Sequence, residues 1–465
     1  MTWSSLPPER DPSGTRFRLY PQAPYGSAEH EPETVWLSPP AGSVGPGPSD
    51  DRMYVIDPVS KRQPYGLNLT AYGKPYVYLP PWRGPIRAPA MPDAAGHFDY
   101  LEVGTPEFEA AHAYGSARFT LDVWERYFGR RISWHFWPQY AYLEVDLLRQ
   151  LDNATSGFGF MEIGSDFPKA GAARPFSLNF DVIAHELGHL IIYSEVGLPA
   201  EDAVDGEYFG FHEAAADLTA LIATMHFEAV LDHLLETTHG NLYTFNELNR
   251  FAELSPHTQI RLASNDRKLS DFSAGWRDEH ALSEPLTGAI FDILVDIFDE
   301  NLLDRGLISP EVEDLFDQFE RFPEYEGAIQ SLFDDAYQGQ REGFREALVQ
   351  ARDYLGVALA ETWKRLSPDY LHYEQVGETL LEVDRELSGG RYRRAIINSL
   401  RWRDIGSAVV GPRLAPPGAE SHAVSARTLV PEHAHGLPRL SYRERWEIAW
   451  SERSGQAGAL SRSRG

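Results

Sequence analysis

Apolar residues recur along this chain with two different periods, and the change of period divides it. From Phe108 to Phe128 the positions Ala111, Tyr114, Phe119, Val123 and Phe128 follow helical spacing and predict one long amphipathic helix. A second helical run, through Val182, Ile183, Leu187, Leu190 and Ile191, extends from Asp181 to Val196 without a proline. Asp181 at its start places a carboxylate at the positive end of the helix. Short stretches rich in β-branched and aromatic residues predict strands over 53–58, 75–79, 132–136, 141–145 and 157–163. Beyond residue 194 the helical period prevails, with helices expected over 210–235, 284–304, 311–319, 325–336, 343–354, 357–366 and 391–402. The expected fold class is α+β.

Four segments follow from these patterns. Residues 1–95 are rich in Pro, Gly, Ser and Tyr, with a flexible link over 41–51, and read as an extended N-terminal arm laid over the body. A retained inhibitory segment is the alternative for that arm. Residues 96–193 form a mixed unit ending in the second helix, and 194–410 a mostly helical one. The tail, 411–465, is expected to be disordered apart from a short helical piece over 442–451. His422, His433 and His435 lie in that tail without carboxylate or cysteine partners at a fixed spacing, so they read as solvated.

Chemistry enters with His185-Glu186-Leu187-Gly188-His189. Positions four apart share one helix face, so two imidazoles there can hold one metal ion, with Glu186 beside the open coordination position. From composition alone such a match arises in a chain this long only roughly a few per cent of the time. A third ligand is needed, and Glu213, 24 positions beyond His189, is the best candidate. Glu213 and Asp217 are again four apart, on a helix otherwise made of Ala214, Ala215, Ala216, Leu218 and similar residues. A solvent-facing acidic pair is the bland alternative. The apolar surroundings favour a ligand, with Asp217 accepting the N–H of a ligating histidine. Gly188 reads as a packing residue. Further on, His280 lies in a loop before a helix that Ser283 or Glu284 caps and Pro285 opens. It is either an ordinary surface histidine or a donor to an oxyanion.

Taken together, these elements resemble the thermolysin family of zinc metallopeptidases, the gluzincins. That pattern is Asp-x-x-x-His-Glu-x-x-His, then Glu-x-x-x-Asp, then a histidine before a helix. Asp181, His185, Glu186, His189, Glu213, Asp217 and His280 fall on it. Upstream, Asn153-Ala154 with Met161-Glu162-Ile163-Gly164 is similar to the family's edge strand. The resemblance covers about residues 97 to 300, with looser helical similarity to about 405. It implies a two-lobed zincin with a mixed sheet and helix upper lobe and a mostly helical lower lobe. It implies one zinc ion on His185, His189 and Glu213, Glu186 as general base and His280 at the oxyanion. It further implies Asp217 and Asp181 behind the ligands, and Asn153 and Ala154 as contacts to a peptide substrate. Asp181 also matches one family calcium ligand, but calcium is not claimed from one residue.

Departures are equally visible. The family arginine that grips the substrate carbonyl cannot be aligned; Arg250, Arg261 and Arg267 are candidates. Tyr208 is the nearest residue to the family's tyrosine. The run of calcium ligands, the signal peptide and the long propeptide of the family are not recognisable. Nor is the glycine-rich Met-Glu-Asn motif of related aminopeptidases, so an endopeptidase is preferred to an exopeptidase. A non-catalytic zincin acting as a binding module is the remaining alternative, disfavoured by the intact Glu186.

Charge and composition narrow the partners. The chain has 465 residues, 42% hydrophobic, with a net charge of -27, which makes nucleic acid and anionic membranes poor partners. Cysteine is absent, so disulfides and thiolate metal sites are excluded. With neither a signal peptide nor a long apolar run, a cytoplasmic location is expected, leaderless export remaining open.

Overall fold

The computed structural model describes residues 6, 12–25, 31–70, 72–167, 172–200, 202–204, 206–242, 250–251, 261–262, 265–310, 326–406 and 410–411. Its centre is helix α1 (Pro106–Phe128). Thr105 caps it by accepting the N–H of Phe108, proline opens it, and Gly129 closes it at φ 66. Its apolar positions are nearly all buried because other elements surround it. A hairpin of β1 (Gly14–Leu19) and β2 (Glu33–Pro40) packs on one side, inserting Phe17, Leu19, Val35 and Leu37. On the other sides lie α2 (Phe180–Glu195), α3 (Gly206–Thr224) and, further along the chain, a long helix over Arg341–Trp363.

The main sheet has four strands: β3 (Met53–Ile56), β6 (Leu143–Leu147), β7 (Ala154–Gly157) and β8 (Phe160–Ile163), ordered β3-β6-β8-β7. The first three in that order are parallel and β7 is antiparallel at the edge. Alternation sends Leu143, Val145, Leu147 and Met161 to the helical core. The other face carries Glu144, Asp146 and Glu162, all buried, with Asp146 directly opposite Glu162. The preceding segment covers this charged face. Lys61 Nζ pairs with Asp146 and, at 2.7 Å, with Glu162. The Tyr65 N–H donates to the Glu162 carboxylate at 2.9 Å, while the Tyr65 hydroxyl and the Trp82 N–H donate to Glu144. Burial pushes the Asp146 carboxyl up to about 8 and raises that of Glu162, with Lys61 acting in the opposite direction. Beyond this cover, β4 (Gly66–Leu69) and β5 (Pro75–Tyr78) form a separate hairpin.

The remaining helices among the described residues are α4 (Glu228–Thr238), α5 (Glu279–Asp304), α6 (Glu326–Tyr337), α7 (Arg341–Trp363), α8 (Tyr373–Ser388) and α9 (Arg393–Trp402). The α+β class is as expected. Several boundaries differ for physical reasons. Residues 132–136 are not a strand. Trp137 donates to the Trp134 carbonyl and Gln139 to that of Phe136, so the chain turns there. The stretch 157–163 is the end of a hairpin, turning at Phe158-Gly159 with Gly159 at φ 89. The helix expected over 210–235 is two helices bent by 89°. At the bend Arg352 donates to the Met225 carbonyl and Phe227 inserts against Phe119 and Phe180.

Helix α5 begins at Glu279 because Asp278 is the better cap, accepting the His280 N–H. His280 therefore sits in the first turn rather than in a preceding loop, and Pro285 is inside the helix. The two helices expected over 343–366 are one, α7. Gly356 does not break it; a β-carbon there would meet the Tyr127 ring at 2.5 Å, so the glycine admits that ring. Strands β1, β2 and β4 and helix α8 were not expected. The helices expected over 311–319 and 442–451 lie outside the described residues. Among the described residues no single helix is long and apolar enough to cross a membrane.

Candidate metal centre

The site is built where α2 and α3 pack along each other. Asn179 caps α2 by accepting the Val182 N–H at 3.2 Å. At the same end of α2, the Thr224 hydroxyl of α3 donates to Asp181 at 2.9 Å, tying the start of α2 to the end of α3. Between the two motif histidines, Gly188 lets the α3 backbone approach closely. This sets the side chains of α3 against the face of α2 that carries His185 and His189.

His185, His189 and Glu213 converge there, all three buried, with one ligand atom from each within 4.8 Å of the others. Nε2 of His185 is 3.4 Å from one Glu213 oxygen, and Nε2 of His189 is 3.7 Å from the other. Tetrahedral coordination at ordinary Zn–N and Zn–O lengths separates neighbouring ligand atoms by about 3.3 Å. Two imidazoles and one carboxylate, spaced and buried in this way, fit a divalent ion of zinc type.

Around them lies a ring of polar contacts. Asp217 Oδ1 is 2.9 Å from His185 Nδ1, which directs the His185 Nε2 to the centre. His280, half-exposed, reaches across from α5 and places Nδ1 2.8 Å from Glu213 Oε2. Glu186 is buried, and no hydrogen bond reaches its Oε2 among the described residues. His212 was not singled out from the sequence. It is fully buried, and its Nδ1 stands 2.8 Å from Nδ1 of His189. The available signal was a histidine next to the third ligand on an otherwise apolar helix.

The other sequence candidates are more dispersed. Ala154 begins the edge strand β7, which packs on α2, and the preceding Asn153 accepts the Gly164 N–H through its carbonyl. Tyr208 is buried and donates to the Gly197 carbonyl at 3.0 Å. Arg267 pairs with Glu284 at 3.1 Å and lies over the Phe272 ring. Arg250 and Arg261 fall on a short antiparallel strand pair, and their side chains lie outside the described residues.

No protein-family model matches the chain, and no curated protein matches it. Among solved structures, the precursor of protealysin, a metalloproteinase from Serratia proteamaculans, is similar with a TM-score of 0.40 and 12% identity, covering 77% of this chain and 88% of that one. A likeness this distant assigns no activity.

Proposed function

We propose that this chain is a zinc-dependent peptidase, acting as an endopeptidase on peptide or protein substrates. The observation that carries the reading is the convergence of His185, His189 and Glu213, with the buried Glu186 next to His185 on the same helix. When bound, zinc would supply Lewis acidity and lower the pKa of a water toward neutrality. Glu186 takes the proton from the attacking water and delivers it to the leaving amine. Its buried Oε2, with no hydrogen bond among the described residues, is suited to that exchange. Asp217 fixes the ring of His185. His280 approaches the same Glu213 oxygen that faces His185, and in this reading it turns to the developing oxyanion once substrate is present. In this reading an extended peptide adds as a strand along β7, the sheet edge among the described residues, with Asn153 and Ala154 at its start.

Metal analysis followed by a quenched-peptide-library assay with and without chelator tests the reading. Stoichiometric zinc and chelator-sensitive cleavage are expected. Zinc with no cleavage of any peptide would instead make the protein a binding module.

A further inference from the structure

The two histidines of the motif are held from behind by different kinds of partner. Asp217, behind His185, is a carboxylate and can only accept while ionised, so the His185 Nδ1 carries the hydrogen and its Nε2 is bare. Behind His189 stands another imidazole, His212. The two ring centroids are 4.9 Å apart and the ring planes only 16° from parallel. With Nδ1 to Nδ1 at 2.8 Å, the rings therefore lie edge to edge, each nitrogen aimed at the other, rather than face on face.

One hydrogen lies between those nitrogens, and its owner decides what His189 can do. If His189 donates, its Nε2 is bare and faces Glu213 as a ligand. If His212 donates, His189 carries its hydrogen on Nε2, and a metal is shut out. We propose that His212 is a positioning residue for the metal site: its Nδ1 accepts from the Nδ1–H of His189 and so holds His189 in its ligating tautomer. This rests on the metal reading above.

Packing supports the assignment. His212 is fully buried, with the Tyr193 ring at 4.4 Å and that of Tyr208 at 5.7 Å. Tyr208 is itself anchored through its hydroxyl to Gly197. The imidazole thus has little room to turn Nδ1 away. His212 also precedes the ligand Glu213 on the same turn of α3, so one rigid element sets both.

The test uses the full-length protein and reads zinc affinity by chelator competition, with the thermal melt of the metal-free form as a folding control. His212→Asn presents an amide oxygen where Nδ1 stands; His212→Leu fills the volume without an acceptor. Zinc is expected to bind about 10- to 100-fold more weakly in His212→Leu and close to wild-type affinity in His212→Asn. Unchanged affinity in His212→Leu, or equal loss in both variants, overturns the inference while leaving the metal reading intact. A wild-type protein that takes up no zinc overturns the metal reading itself. Should His212→Leu fail to fold, ¹⁵N NMR of the histidine-labelled, zinc-loaded wild type decides. A protonated His189 Nδ1 facing a bare His212 Nδ1 is expected, and a protonated His212 Nδ1 sinks the proposal.

Discussion

A β-carbon placed on Gly188 would stand 2.8 Å from the α-carbon of Ala216. That contact is with backbone and cannot be relieved by turning a side chain. Thr219, at 3.0 Å, closes the same space. By helix propensity alone, Gly188→Ala inside α2 would gain about 1 kcal/mol. The close approach reverses the sign. The variant is expected to lose about 1–3 kcal/mol by overpacking and to bind metal more weakly, because α3 carries Glu213 away from the histidines. Urea unfolding of the metal-free protein checks the first; a gain in stability there would show that the helices part without cost.

Glu186 should separate chemistry from metal binding. Glu186→Gln keeps the shape of the side chain and removes its basicity. Zinc content should remain at the wild-type level while peptide turnover falls by about 10²- to 10⁴-fold. Wild-type turnover in this variant would assign the proton transfer elsewhere. Loss of zinc would place Glu186 among the ligands instead.

Glu213 and Asp217 sit four apart on α3 but should differ in kind. Glu213→Ala removes a proposed ligand, so stoichiometric zinc should be lost. Asp217→Ala only frees the ring of His185, and zinc should bind about 10- to 100-fold more weakly. Metal content after dialysis against a graded chelator series ranks the two. Equal retention in both would remove Glu213 from the site.

Much of this arrangement could be read from the chain because its logic is local. His185, Glu186 and His189 lie on one face of one helix, and Glu213 and Asp217 on one face of the next, so spacing alone groups them. Their convergence and the His280 contact depend on how three helices meet, which spacing does not encode. His212 escaped notice for the same reason, since its partner lies 23 residues away across a helix interface. In the fold, long amphipathic periods such as that of α1 were legible. The errors fell where tertiary contact overrode a local signal. Gly356 looks like a helix end but admits the Tyr127 ring, and Ile132 to Phe136 look like a strand but turn. The charged face of the sheet was least legible, because nothing in the spacing of Glu144, Asp146 and Glu162 shows that Lys61, far away in the chain, lies over them.

That buried cluster gives the protein a pH-dependent stability unrelated to the metal centre. Asp146 titrates near 4 in an unfolded chain and about 8 in the folded one, raised chiefly by burial. The folded state therefore holds the proton more tightly than the unfolded state. The resulting stabilisation is complete below pH ~4, erodes as the pH rises, and is gone above about 8. Glu162 shifts in the same direction and adds to the slope. Lys61 is the cation that makes their ionisation tolerable, and it is fully buried between them. Lys61→Met removes it at similar volume, and breaking a buried pair of this type costs about 3–5 kcal/mol. The cost should be greater at pH 9, above the Asp146 value, than at pH 5, below it, where protonation of Asp146 offsets the missing cation. Urea titrations of wild type and Lys61→Met at both pH values measure this. An equal penalty at pH 5 and pH 9 would mean that Asp146 and Glu162 keep the same charge across that range.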